Sequence, residues 1–197
     1  MEFRDVVRRR RMVRNYLSDR VDEDAIERII EAGVRSPSAG FTQGQSFVIV
    51  TDPERRARIA GLAAENEYVE RGFDPWISRA PVHIVVCVSE AAYHRRYQES
   101  DKTDEEGREI EWPVPYWWVD AGASMMSILL ATVDEGLAAG FLGVQSIDGL
   151  AEYLALPNEV MPIGVVTIGH PAPDRRSSSL ARGRRPGAVH WEYWSES

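Results

Sequence analysis

Ile26, Ile29, Ile30 and Val34 recur at three- and four-residue intervals behind Asp22, and this spacing predicts a capped amphipathic helix that stops at Ser36-Pro37. A helix over residues 2–11 is expected from Phe3, Val6 and Val7 on one side. Residues 46–51 form a short β-type run, after which Asp52-Pro53 opens a helix reaching to about residue 64. Residues 81–89 are nearly all apolar, the pattern of a strand covered on both faces, and a helix is expected over 91–98. Residues 163–168 repeat the all-apolar strand pattern, with a short helix over 147–154 before them. Between these, residues 117–137 predict a long helix rich in Ala, Ser and Met, apolar enough to pack on several sides, centrally or against a second subunit. Strands alternating with helices, without repeats or a linker, imply one α+β domain over 1–197, a central mixed sheet flanked by helices.

Two stretches lack periodicity. Residues 99–116 are charged and then rich in Trp and Pro, which predicts a lid-like insertion, because long unstructured loops in compact domains tend to be functional or disordered. Beyond Pro173 the chain is polar until Trp191, Tyr193 and Trp194, an aromatic tail that needs a surface to pack against.

A chain of 197 residues, 44% hydrophobic, can bury a substantial core without disulfides. Its single cysteine, Cys87, lies in an apolar run, where a buried reduced thiol and a cytoplasmic setting are expected. No signal peptide is visible, and the longest apolar segment, residues 121–133, is too short to span a bilayer, so no membrane partner is expected. A net charge of −8 argues against a nucleic-acid binder. Arginines nevertheless gather at both ends: Arg4, Arg8, Arg9, Arg10, Arg11 and Arg14, then Arg175, Arg176, Arg182, Arg184 and Arg185. They form either a solvated basic face or, if the fold joins the termini, two sets of guanidinium forks converging on one small anion.

Dinucleotide, phosphate-loop, nucleophile-elbow and zinc-protease signatures are absent. His83, His94, His170 and His190 lack metal-ligand spacing, so no metal is expected. Four other segments carry a pattern in a consistent order. Arg10-Arg11-Met12-Val13-Arg14-Asn15-Tyr16 resembles the R-R-S-x-R-x-F/Y element of the nitroreductase family, and Ser36-Pro37-Ser38-Ala39-Gly40-Phe41-Thr42-Gln43 is similar to its P-S-A-x-N-x-Q-P-W stretch. Asp120-Ala121-Gly122-Ala123, running on to Gly136-Leu137 and Gly140-Phe141-Leu142-Gly143, resembles the family's D-A-G-A helix and the glycine-containing loop that follows it. Ile168-Gly169-His170-Pro171, Arg182-Gly183-Arg184-Arg185-Pro186 and His190-Trp191 are similar to its ending. Met12 stands where the family has serine, Phe41 where asparagine is frequent, Gly44-Gln45 for Pro-Trp, and Met126-Ser127 for Gln-Asn.

The resemblance implies an intertwined homodimer that binds FMN between its subunits and uses NADH or NADPH as donor in a ping-pong cycle. A small aromatic acceptor, a nitro compound or a quinone, would take the electrons, and the flavin, not a protein side chain, would carry the chemistry. Relatives point to alternatives: dehydrogenation, dehalogenation, flavin breakdown, deazaflavin-linked chemistry, or flavin binding without catalysis. The implied flavin contacts are Arg10, Arg11, Met12, Arg14, Pro37, Ser38, Ala39, Gly40, Gln43, Gly140, Phe141, Leu142, Gly143, Arg182 and Arg184. Phe41, Trp112, Tyr116 and Trp117 are the expected substrate contacts, and residues 173–197 are expected to wrap the partner subunit.

Overall fold

The structure is a computed structural model and describes residues 1–175, 177–184 and 186–194. Helix α1 spans Phe3–Arg9 and α2 spans Glu23–Val34. Asp22 caps α2 by accepting from the amides of Asp24 (2.9 Å) and Ala25 (3.3 Å), which satisfies donors that a helix start leaves free. Strand β1 (Gln45–Val50) is followed by α3 (Pro53–Leu62), α4 (Glu65–Glu70) and α5 (Trp76–Arg79). Then come β2 (Val82–Val88), α6 (Glu90–Tyr97), α7 (Tyr116–Asp134) and β3 (Ala138–Gly143), and last α8 (Leu150–Tyr153) and β4 (Met161–Gly169). The long helix α7 stops at Gly136, whose positive φ of 74° lets the Gly136 and Leu137 amides turn back onto Val133 and Thr132.

The sheet order is β1-β2-β4-β3, and every strand pair is antiparallel. The expected mixed sheet is therefore corrected: the parallel pairing among the described residues is a single bridge, Met12 to Ala139. Helices between strands suggest parallel crossovers, but the three short helices from β1 to β2 reverse the chain beside its own strand. β2 is buried along its whole length because helices cover both sheet faces. On one face Val82, Ile84, Val86 and Ile168 pack with Ile29, Ile128 and Leu129 of α2 and α7. On the other, Val85, Cys87 and Val165 pack with Ile59, Ile77 and Leu150. Cys87 is the buried reduced thiol expected, its pKa pushed up to about 12 by burial.

Three elements were not anticipated. Residues 140–143, taken as a glycine-containing loop, belong to strand β3, because the ladder to β4 supplies what an Ala- and Gly-rich sequence lacks in strand preference. The short helices α4 and α5 have no periodicity to announce them. Residues 99–115 contain no helix or strand, as expected, but they are fastened. Arg96 pairs with Asp101 at 2.7 Å, and Glu109 accepts from Trp112 Nε1 at 2.6 Å and lies 2.6 Å from His94 Nδ1. That partner raises the His94 pKa, chiefly through the hydrogen bond.

Candidate functional site

After α1 the chain runs extended along the outer edge of β3. The Val13 amide donates to the Ala139 carbonyl at 2.9 Å, and Tyr16 bridges to Pro171 beyond the end of β4. Tyr16 is buried, with its hydroxyl 3.0 Å from the Val13 carbonyl and 2.8 Å from Thr167 Oγ1; burial drives its pKa well above the usual tyrosine range. Gly140 makes this close approach possible, since a Cβ there would lie 2.5 Å from the Val13 carbonyl oxygen and 2.8 Å from the Trp76 ring. Met12 turns inward and packs against the α2–α7 side of the core, which accounts for a methionine at this position.

This edge segment borders a cleft of about 500 Å³, a size typical of small-molecule sites. Tyr68, Phe73, Trp76, Phe141 and Leu142 supply aromatic and apolar walls, and Arg14, Arg175, Asp74 and Asp174 supply charge. The Arg14 guanidinium lies 5.7 Å from the centroid of the Trp76 ring, within cation–π range. The charges are sorted. Asp174, its side chain almost fully buried, pairs with Arg11 at 2.7 Å, and Asp74 lies 3.4 Å from Arg79. Arg14 and Arg175, both lining the cleft, form no ion pair with a described residue.

Asn15 Nδ2 donates to the Pro173 carbonyl at 2.7 Å, and the Ala172 amide donates to the Asn15 carbonyl at 3.2 Å. The two ends of the chain thus meet, but through Arg175 rather than Arg182 or Arg184, which are exposed and do not line the cleft. Arg176 and Arg185 lie outside the described residues. Of the other expected contacts here, Arg10 is half-buried at the end of α1, and the Gly143 Cβ position is occupied by the Gln145 side chain.

The second expected segment forms a tight turn elsewhere. Gly40, Phe41 and Gln43 all have positive φ (61°, 54° and 53°), uncommon for the latter two. Specific bonds hold the turn: Ala39 donates to Asp120 Oδ2 at 2.8 Å, Gln43 N to Ser38 Oγ at 2.8 Å, and Arg96 Nε to the Gly40 carbonyl at 2.9 Å. Asp120, buried, also accepts from the Tyr93 hydroxyl at 2.8 Å. Phe41 is 76% exposed at the tip, Pro37 is exposed beside it, and Tyr116 also reaches solvent. Trp117, at 6% exposure, is core, and Trp112 is half-buried with its ring 4.4 Å from that of Tyr97.

The cleft and this turn lie by opposite edges of the sheet, the cleft against Phe141 and Leu142 of edge strand β3 and the turn just before edge strand β1. Ser89 N bonds to the Gly44 carbonyl just past the Val88 end of β2, whereas Tyr16 and Pro171 lie past the end where Val82 pairs with Ile168. Strands β2 and β4 lie between the two edges, and at about 4.8 Å per strand spacing they hold the edges roughly 14 Å apart.

Tyr68, Phe73, Asp74, Trp76 and Asp174 were not foreseen. The clustering of three aromatics over residues 68–76 was the available signal. Among the described residues no group of His, Cys, Asp or Glu could hold a metal, and no helix is long and apolar enough to cross a membrane.

Comparison with known proteins adds to this geometry. A model described as the nitroreductase family matches residues 7–170. A Bacillus subtilis protein named FMN reductase [NAD(P)H] is 31% identical, over 92% of this chain and 70% of its own. A Methanothermobacter thermautotrophicus protein, named as a candidate NADH dehydrogenase/NAD(P)H nitroreductase, is 26% identical over 98% of this chain and 88% of its own. Among solved structures, the hypothetical oxidoreductase YcnD from Bacillus subtilis superposes with a TM-score of 0.75 at 26% identity, covering all of this chain and 76% of that one.

Proposed function

The chain belongs to the nitroreductase family, and from that premise we propose that it works as a homodimeric, FMN-dependent oxidoreductase. It would carry electrons from NADH or NADPH to a small aromatic acceptor, such as a nitro compound or a quinone, in a ping-pong cycle. The observation that carries this reading is the cleft, in which aromatic walls meet two arginines that form no ion pair among the described residues. Those features fit FMN: the Trp76, Phe73 and Phe141 side suits a flat ring, and Arg14 and Arg175 suit an anionic group. Bound FMN would supply the electron transfer, while Arg14, Gly140 and the aromatic walls bind and orient it and keep water away.

A dimer supplies what one chain lacks. The turn at residues 37–43 lies across the sheet from its own cleft, and in the proposed dimer the corresponding turn of the second copy would face it. Outer residues of α7, Val119 and Met126, are exposed and apolar, with Phe3 and Val7 of α1 exposed as well. A Cβ on Gly122 would meet nothing within 4 Å, leaving that stretch of helix open to close approach. Edge strand β1 borders an apolar groove of Ile26, Ile30, Val34 and Ile49, and Trp191, Tyr193 and Trp194 are more than 80% exposed. These surfaces support a dimer built around α7 whose segment 173–197 wraps its partner. A cytoplasmic setting fits the reduced thiol of Cys87.

The exposed Phe41, where the family often has asparagine, favours an acceptor side of the pocket with its own chemistry, so the family's dehydrogenating, dehalogenating, flavin-degrading or deazaflavin-linked reactions form the second reading. The purified protein is expected to show flavin absorption bands that NADPH bleaches without oxygen, to release FMN on denaturation, and to sediment at twice the 22.2 kDa chain mass. A colourless protein that takes up no added FMN and sediments as one chain would overturn the proposal.

A further inference from the structure

Trp76 and Ile77 stand on α5, a helix of four residues. A single turn has no cooperative stability of its own, and Pro75 before it provides no side-chain cap. Side chains from outside hold its polar groups instead. His83 Nε2 donates to the Ile77 carbonyl at 2.7 Å, and Arg56 Nη1 donates to the carbonyls of Ser78 (3.1 Å) and Ala80 (2.5 Å). Glu65 holds the other end: its Oε1 accepts from the Ile77 amide at 2.5 Å, and both its oxygens lie 3.2 Å from the Ser78 amide.

Glu65 is the unusual member of this group. It is 5% exposed and forms no ion pair among the described residues, so its carboxylate is spent on two amides of one helical turn. Carboxylates are seldom buried without a cationic partner. The preceding residue, Ala64, has a φ of 51°, left-handed backbone at the point where the chain enters α4. Glu65 also begins α4, which carries Tyr68, a second residue of the same cleft. One carboxylate therefore ties together two separate pieces of the aromatic wall.

We infer that Glu65 is a positioning residue for the cleft: by holding the Ile77 and Ser78 amides it fixes the Trp76 ring in the cleft wall beside the Arg14 guanidinium. The inference rests on the flavin reading above. It is tested by titrating wild type, Glu65→Ala, Glu65→Gln and Glu65→Asp with FMN, and by following hydrogen exchange of the Ile77 and Ser78 amides.

Glu65→Ala is expected to weaken FMN binding by about tenfold or more, the scale of lost bonds to a charged group. Glu65→Gln, which keeps the Oε1 acceptor in place, should recover most of that loss. Glu65→Asp keeps the charge but falls one methylene short, so it should resemble alanine and lose amide protection. In a Trp76→Phe background the alanine effect should shrink, because the two side chains act through one wall. A residue that merely stabilised the fold would lower the melting temperature of these variants and leave the FMN affinity of the folded fraction unchanged, and that result overturns the inference. If Glu65→Ala does not fold, the order of the other two decides: glutamine tighter than aspartate supports it, and the reverse overturns it. Wild type that binds FMN beside variants that bind it equally removes this inference alone. Wild type that binds none removes the flavin reading and this inference with it.

Discussion

At the β3 edge, residues 12–16 take their course from ladder bonds to Ala139 and His170 and from a glycine that lets them lie close. At the β1 edge, residues 38–43 have no ladder; they hold three positive φ values through bonds from Ser38, Arg96 and Asp120. The first region is a concave pocket lined by Arg14 and Arg175, the second a projecting turn with an exposed aromatic tip. Backbone pairing suits a pocket, because repeated bonds spread the load and leave side chains free to line it. Side-chain bracing suits a projection, because strained backbone persists only where its surroundings over-determine it.

That contrast can be broken from either end. Asp120→Ala should have the largest effect, since it strands the Ala39 amide and the buried Tyr93 hydroxyl together. A loss of about 3 kcal/mol is expected in urea unfolding, and a loss below about 1 kcal/mol would show that the turn does not depend on its brace.

At the cleft end, His83 should make stability depend on pH. Burial lowers its pKa to about 4 from 6.5. Above pH 6.5 the ring is neutral in both folded and unfolded chains. As pH falls from 6.5 to 4 the unfolded chain takes up the proton first, so up to about 3 kcal/mol of stability is lost across that window. Urea midpoints measured from pH 4 to 7 should show this slope in wild type and a shallower one in His83→Gln.

Arg14→Ala should weaken FMN by about 10- to 100-fold in an equilibrium titration, the range of a charge-assisted contact. Arg184→Ala sharpens the comparison: an equal loss would show that the tail of one chain returns to a cleft, and no loss would leave Arg175 as the second cation. The smallest effect on stability is expected of Phe41→Ala, within about 0.5 kcal/mol because the ring is solvent-exposed, together with a changed KM for aromatic acceptors. A large loss of stability in the dimer would mean that Phe41 is buried by the partner chain.

Much of the frame was legible. Asp22 and Asp52 cap the helices their positions predict, and the uninterrupted apolar run of β2 marks a strand covered on both faces. The arginine distribution left open whether the two chain ends meet; in the structure they do, through Asn15 with Pro173 and Arg11 with Asp174, and Arg175 is the C-terminal arginine beside the cleft. Strand β3 was missed because alanine and glycine carry little strand preference and gain their conformation from β4 and residue 13. The Tyr68, Phe73 and Trp76 wall was missed because α4 and α5 are too short for a periodic signal, and α5 is held by Glu65, Arg56 and His83, whose side chains face it only after folding.

By itself, then, the sequence determined the helices other than α4 and α5, the two buried strands and the family, because caps, periodicity and motif order act over short spans of chain. Strand direction, the pairing of Asp174 with Arg11, the burial of Trp117 and the separation of the 37–43 turn from the cleft were decided only by the tertiary structure. These depend on which distant segments become neighbours, and on charges and rings finding partners that no local pattern names.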